Sequence, residues 1–199
     1  MWTPLKRMDT MASTDNQIIV VGRDPLPSVL HIEGGEELRM TIIVPEGVSC
    51  EKSMEIHLDG PGASLDIAGA WRCSSSERVH LQVIVRHNAP HCHSEQLFKG
   101  VVSGSARAEF DGLVYVAPGA MKTVAHQQAH SLLLSADAFC EARPQLEIYA
   151  DDVECSHGAT TGYLNPEELF YMRSRGIPEE EARAIQVEAF LAPVLNRLP

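Results

Sequence analysis

A chain of 199 residues is long enough for one domain with a substantial core, or for a medium domain with a small appendage. Apolar residues make up 44% and charged residues 22%, near the average for globular proteins, which excludes wholesale disorder and a disulfide-dense mini-fold. A formal charge of -11 argues against broad binding to nucleic acid or anionic membranes, because both require clustered Lys and Arg.

Residues 1–16 are polar, with three methionines and two basic groups but no apolar stretch behind them, and read as a disordered leader. Nowhere is there an apolar run long enough to span a bilayer. The cysteines, at positions 50, 73, 92, 140 and 155, are odd in number and contain no CxxC pair. That usage suits a reducing compartment better than a disulfide framework or a closed zinc site, and the expected location is the cytoplasm.

From residue 17 to residue 162 short apolar or alternating runs recur: "QIIVVG", "LRMTIIV", "MEIHLD", "SLDIAG", "VHLQVIV", "FDGLVYV", "SLLLS" and "QLEIYA". Gly, Pro, Asp and Ser separate them, so the segment reads as all-β. No helix-length apolar stripe interrupts it, which argues against crossover helices and leaves a sandwich, a barrel or a β-solenoid. Turn signals at irregular intervals, without a strictly repeating motif, lean the pattern towards a sandwich.

Residues 163–199 switch to helical signals. In "NPEELFYMRSRG" Asn165 is placed to cap, Pro166 to open the first turn, Glu168 to act as a capping carboxylate and Gly176 to end the helix. A second helix begins at Pro178 with the acidic turn Glu179 to Glu181. Its broad apolar face, Ile185, Val187, Ala189, Leu191 and Val194, either docks on the protein's own core or meets a partner.

Two side-chain clusters could carry chemistry. In "RHNAPHCHSEQLFKG", a strand would project His91, His93 and Glu95 from one face and Cys92 from the other, an adequate ligand set for Zn, Fe or Ni. Without a fourth ligand fixed by spacing, and with Pro90 beside them, they also read as polar residues at a strand end. Cys155 and His157 would share a strand face, and a thiolate with an imidazole suits iron in a sulfide-bearing centre. Alternatively they are a buried cysteine beside a surface histidine. If strand parity ran on from "QLEIYA", both would lie with Glu147 on the non-core face, unless Asp151 and Asp152 mark a turn that resets it. No GxxxxGK[ST], GxGxxG or GxSxG string is present, so neither a phosphate-binding glycine loop nor a serine-hydrolase elbow is indicated.

The stretches "HCHSEQLFKGVVSGSARAEF", "FDGLVYVAPGAMKTVAHQQAHSLLLS" and "PQLEIYADDVECSHGATTGYLNPEELFYMRSRGI" resemble the C-terminal half of the SufB/SufD family of iron-sulfur cluster assembly scaffolds, on the SufD side. The resemblance implies a right-handed parallel β-helix over 17–162 and a small C-terminal helical domain over 163–199, in a short form lacking the family's N-terminal part. It implies a non-enzymatic scaffold that pairs through its β-helix with a SufB-like homologue or with itself. The helical tail would dock a SufC-type ABC ATPase. Cys155 and His157 match the family's cysteine and histidine near the scaffold interface, as contacts for iron or a cluster held transiently, with no tightly bound cofactor in the isolated chain. Phe170, Tyr171, Arg173, Ser174, Arg175 and Gly176 match the tail motif.

Two alternatives differ in class. His91, His93 and His126 are similar to the HxH and later His of cupins, which suggests a metal-binding β protein or enzyme, although no glutamate lies at the cupin distance. A degenerate paralogue that only binds partners would need the tail motif but not Cys155.

Overall fold

The computed structural model describes residues 16–199. Its strands are β1 (Gln17–Val20), β2 (Val29–Ile32), β3 (Glu37–Val44), β4 (Cys50–Leu58), β5 (Ser64–Cys73), β6 (Arg78–His87), β7 (His93–Val102), β8 (Arg107–Val116), β9 (Val124–Leu133), β10 (Phe139–Ile148) and β11 (Glu154–Gly162). The helices α1 (Pro166–Ser174) and α2 (Glu179–Leu195) follow. Apart from Asn16, the expected leader lies outside the described residues.

Odd and even strands sort into two parallel sheets, β1-β3-β5-β7-β9-β11 and β2-β4-β6-β8-β10. Each strand therefore skips its neighbour in sequence and pairs with the one a full coil later, which makes a β-solenoid of about five turns. In-register columns run along it: Leu65 faces Ser94, Ser94 faces Ala125, and Ala125 faces Cys155. The β-helix implied by the family resemblance is the observed architecture, and the sandwich favoured by pattern alone is not. A cupin barrel is likewise overturned, since the sheets are parallel and coiled rather than closed antiparallel.

The repeat is carried by corners that short motifs do not reveal. Ahead of β5, β7, β9 and β11 the chain turns through a left-handed residue: Gly62 at φ 74°, His91 at 61°, Lys122 at 60° and Asp152 at 56°. These corners stack by backbone hydrogen bonds, Gly62 N to Pro90 O (3.2 Å), His91 N to Met121 O (2.9 Å) and Lys122 N to Asp152 O (2.8 Å). Only one of the four is a glycine. The others bear the modest cost of a left-handed L-residue because the coil above fixes them.

Inside, alternate residues of both sheets meet in a narrow core, with Phe98 and Phe110 at 4.3 Å between ring centres and Trp71 at 6.2 Å from Phe110. Where α2 covers it, the outer face of the six-stranded sheet is apolar. There Val187, Leu191 and Val194 pack on Ala68, Ala70 and Val101, whose small or branched side chains let the helix approach. Polar ties complete the docking: Lys99 Nζ donates to Phe190 O at 2.9 Å, Arg197 reaches Asp66 at 2.9 Å, and Asn16 Nδ2 donates to Arg197 O at 2.8 Å. Part of the α2 apolar face thus belongs to the protein's own core, while Ile185 and Ala189 remain exposed.

α1 has the predicted ends. Asn165 Oδ1 accepts from the amides of Glu167 and Glu168 (2.9 and 3.4 Å), and Pro166 opens the helix. At the other end Gly176, at φ 89°, donates to Arg173 O and Ile177 donates to Met172 O, the paired bonds that close a helix through a left-handed residue. Glu168 differs from expectation: its carboxylate accepts from Gln186 of α2 (2.9 Å) and so braces the two helices.

Candidate functional site

Cys155 and His157 lie on β11, the last strand of the six-stranded sheet, beside β10, the last of the other. Among the described residues each of these strands pairs on one side only, so the solenoid ends here in an open coil with free backbone edges. The left-handed corner at Asp152 resets strand parity. Cys155 therefore continues the inward column of Ala125 and Ser94, and His157 continues that of Gln127 and Gln96. Unbroken parity would have put both on the outer face; the turn at Asp151 and Asp152 turns them in.

Cys155 is half-buried against Val114, Val116, Ala120 and Ala125, with Leu146 and Val153 beside it. Burial pushes its thiol up, and the backbone N–H of Ala125 offsets that only in part. In the isolated chain the sulfur is therefore a thiol at neutral pH. Coordination to a metal would displace its proton. His157 is exposed, as are Ile148 and Tyr149 at the end of the last coil. Exposed apolar side chains and unpaired strand edges thus surround the cysteine and the histidine.

The second predicted cluster is only partly brought together. His93 and Glu95 share the outer face of β7, with His93 Nε2 3.6 Å from Glu95 Oε1. His126 on β9 reaches the same carboxylate at 4.0 Å, Glu154 at 3.9 Å and Ser156 Oγ at 2.7 Å. His91 does not join them. It forms a left-handed corner and is exposed, so the strand face expected for it is corrected: its role is to turn the chain. Cys92 lies opposite His93 and Glu95, as predicted; the structure shows that this side is the interior, with Cys92 1% exposed and its thiol 3.4 Å from Gly60 O.

The tail residues stand clear of the body. No α1 residue is buried; Phe170 is 74% exposed and Tyr171 58%. Arg173 meets Glu179 at 3.2 Å, Arg175 lies over the Tyr171 ring at 5.3 Å, and Ser174 Oγ donates to Tyr171 O at 2.7 Å. Tyr163, Tyr171, Ile185 and Ala189 line an apolar groove between α1 and α2.

Sequence reading passed over two groups that coil spacing brings together. Gln127 Nε2 donates to Gln96 Oε1 (2.8 Å) inside the solenoid, and His31, His57 and Asp59 converge on the outside of the five-stranded sheet. Only the coil register brings them together, pairing Gln96 with Gln127 and His31 with His57 at unequal sequence offsets.

A family model described as "SUF system FeS cluster assembly, SufBD core domain" matches residues 31–190. The chain belongs to the SufB/SufD family. Within it the chain is SufD-like: it is 38% identical to the iron-sulfur cluster assembly protein SufD of Escherichia coli over 152 residues, covering 76% of this chain and 36% of that protein. It is 36% identical to SufD of Bacillus subtilis over 149 residues, covering 75% and 34%, and 33% identical to Protein ABCI7, chloroplastic, of Arabidopsis thaliana over 170 residues, covering 84% and 35%. The SufD-like chain spans about a third of the length of these curated relatives. Among the described residues no helix is long and apolar enough to cross a membrane.

Proposed function

We propose that this SufD-like chain is a cytoplasmic scaffold subunit of a SUF-type iron-sulfur cluster assembly complex, acting by holding partners and cargo rather than by catalysis. The observation that carries the reading is the place of Cys155 and His157, facing inward on the last rung of an open-ended solenoid. A second family member, or a second copy, would pair across that end and supply the remaining ligands. Iron or a nascent cluster is the cargo there: the thiol gives up its proton on coordination, and the imidazole of His157 offers a neutral nitrogen. The exposed aromatic and basic face of α1, with Phe170, Tyr171, Arg173 and Arg175, is offered to a SufC-type ABC ATPase, whose nucleotide cycle would drive rearrangement of the paired scaffold. Two features support this assignment: α2 is anchored to the body through Arg197 and Lys99, and α1 is free of it.

The test mixes the purified chain with the SufC-type ATPase of the same organism and measures complex mass by light scattering. A complex of defined stoichiometry that Arg173→Glu abolishes is expected. Anaerobic reconstitution with iron and sulfide should then yield cluster absorbance that Cys155→Ser removes. Failure to bind the ATPase, together with reconstitution indifferent to Cys155→Ser, would overturn the reading.

A further inference from the structure

His31, His57 and Asp59 lie on the outer face of the five-stranded sheet, at the opposite end of the solenoid from Cys155. His31 of β2 is in register with His57 of β4, and their rings stack at 4.8 Å with an interplanar angle of 25°. Asp59 follows β4 directly, and Asn88 follows β6 in the next coil. One ligand atom from each of His31, His57 and Asp59 lies within 4.8 Å of the other two. His31 Nδ1 is 2.6 Å from Asp59 Oδ2, while Asn88 Nδ2 is 2.7 Å from Asp59 Oδ1 and 3.2 Å from His57 Nδ1.

The hydrogen bonds fix more than position. Asn88 donates to His57 Nδ1, so that nitrogen carries a lone pair and the ring proton sits on Nε2. His57 Nε2 in turn faces Glu55 Oε1 at 3.2 Å, and Glu55 is held by Arg86 from the neighbouring coil. A carboxylate on the far nitrogen of a histidine whose near nitrogen carries the lone pair is the arrangement that sets tautomer and ring orientation in metal sites. Burial raises the Asp59 carboxyl, but hydrogen bonds from His31 and Asn88 and the nearby imidazoles outweigh it and hold the group below the usual carboxylate range.

We infer that His31, His57 and Asp59 bind a divalent first-row transition-metal ion. Two imidazole nitrogens and one carboxylate oxygen favour Fe, Co, Ni, Cu or Zn over Mg or Ca, which prefer oxygen. The ion takes the place of the hydrogen between His31 Nδ1 and Asp59 Oδ2, with the imidazole binding as its Nε2–H tautomer. A half-turn of the Asn88 amide replaces its NH₂ with an oxygen, a fourth ligand, and water completes the shell because His31 is 56% exposed.

Zinc titration by calorimetry reads affinity and stoichiometry on the full chain. Cobalt absorbance supplies a signature of nitrogen and oxygen ligation. One equivalent is expected, unaffected by Cys155→Ser, His93→Ala or His126→Ala. His31→Ala and Asp59→Asn should each weaken it at least tenfold, and Glu55→Gln by roughly 10–100-fold through ligand positioning. His31 is exposed, so its variant should keep its far-ultraviolet dichroism and isolate the ligand effect. Absence of micromolar zinc binding, binding indifferent to both His31→Ala and Asp59→Asn, or binding that only the Cys155 or His93 and His126 variants remove would each overturn the site.

Discussion

A methyl group added to Gly100 would sit 2.0 Å from the indole nitrogen of Trp71. The two residues are in register on neighbouring strands β5 and β7, and the indole lies flat over the glycine, 2% exposed. The ring cannot yield without disturbing Phe110, on which it stacks. Gly100→Ala is therefore expected to destabilise by about 1–3 kcal/mol, the range for an overpacked core. Gly158, also in a strand but with nothing within 4 Å of an added Cβ, is the control. Chemical denaturation should separate the two variants, and equal midpoints would show that the Trp71 stack is looser than described.

The helical tail was legible because its signals are local. Asn165, Pro166 and Gly176 do what isolated residues of those types do at helix ends, and the structure uses all three. The solenoid was not legible from periodicity, because its repeat is a position in space and not a motif. The stacked corners are Gly62, His91, Lys122 and Asp152, four residue types with one backbone conformation. The inward columns are as mixed, with Leu65, Ser94, Ala125 and Cys155 in one line. Strand-length runs were visible, but their order came only from likeness to a family. Cys155 and His157 were visible within a long distinctive string, whereas His31 and His57 become neighbours only once the coil is known.

Burial gives His87 a measurable pH signature. The residue is wholly inaccessible, its Nε2 lies 3.0 Å from Ser94 Oγ, and its Nδ1 has no partner. Burial pushes the imidazole down from 6.5 to about 4, helped by the charge of His93. Between those values the unfolded chain binds a proton that the folded chain refuses, so stability falls as pH drops through that window. The loss amounts to roughly 3 kcal/mol by pH 4. His87→Gln should flatten this part of the profile, leaving the carboxylate contributions at lower pH in place. Parallel slopes for the two proteins between pH 6.5 and pH 4 would refute the assignment.

Arg197 fastens the end of α2 to the sheet. Its side chain is 11% exposed and gives Asp66 one bond to the carboxylate (2.9 Å) and one to the backbone oxygen (3.0 Å). Asp66 keeps Arg39 at 3.2 Å, so Arg197→Ala leaves no bare buried charge. The expected cost is about 1–2 kcal/mol, the range for charge-assisted bonds that are partly solvated. The opening should be local, with faster amide exchange in α2 and unchanged protection in β5 and β7. Uniform acceleration throughout the chain would mean that helix and sheet unfold as one unit.

Phe170 and Arg173 should separate binding from stability. Phe170 is 74% exposed, and the Arg173 pair with Glu179 is more than half exposed on both sides, so neither adds much to the fold. Phe170→Ala and Arg173→Glu should leave the unfolding midpoint within about 0.5 kcal/mol of the parent. If α1 is the docking face proposed above, each change should cost about 2 kcal/mol or more in affinity for a SufC-type ATPase, the range for aromatic and arginine anchors at an interface centre. Loss of both stability and binding would place α1 in the protein's own core.

Cys155 reports whether the open end is covered. Its thiol is pushed up by burial, so alkylation should be slow at pH 7 and should still be rising steeply at pH 9, where an ordinary thiol is levelling off. Pairing across β10 and β11 would add steric protection that depends on concentration. The alkylation rate of Cys155 at fixed pH should therefore fall as protein concentration, or the concentration of a SufB-like partner, is raised. Cys50 supplies the internal reference, being half-buried in β4 and raised by burial in the same way. Equal protection of both cysteines would indicate non-specific association, and a rate for Cys155 independent of concentration in every mixture would remove the open end from the pairing surface.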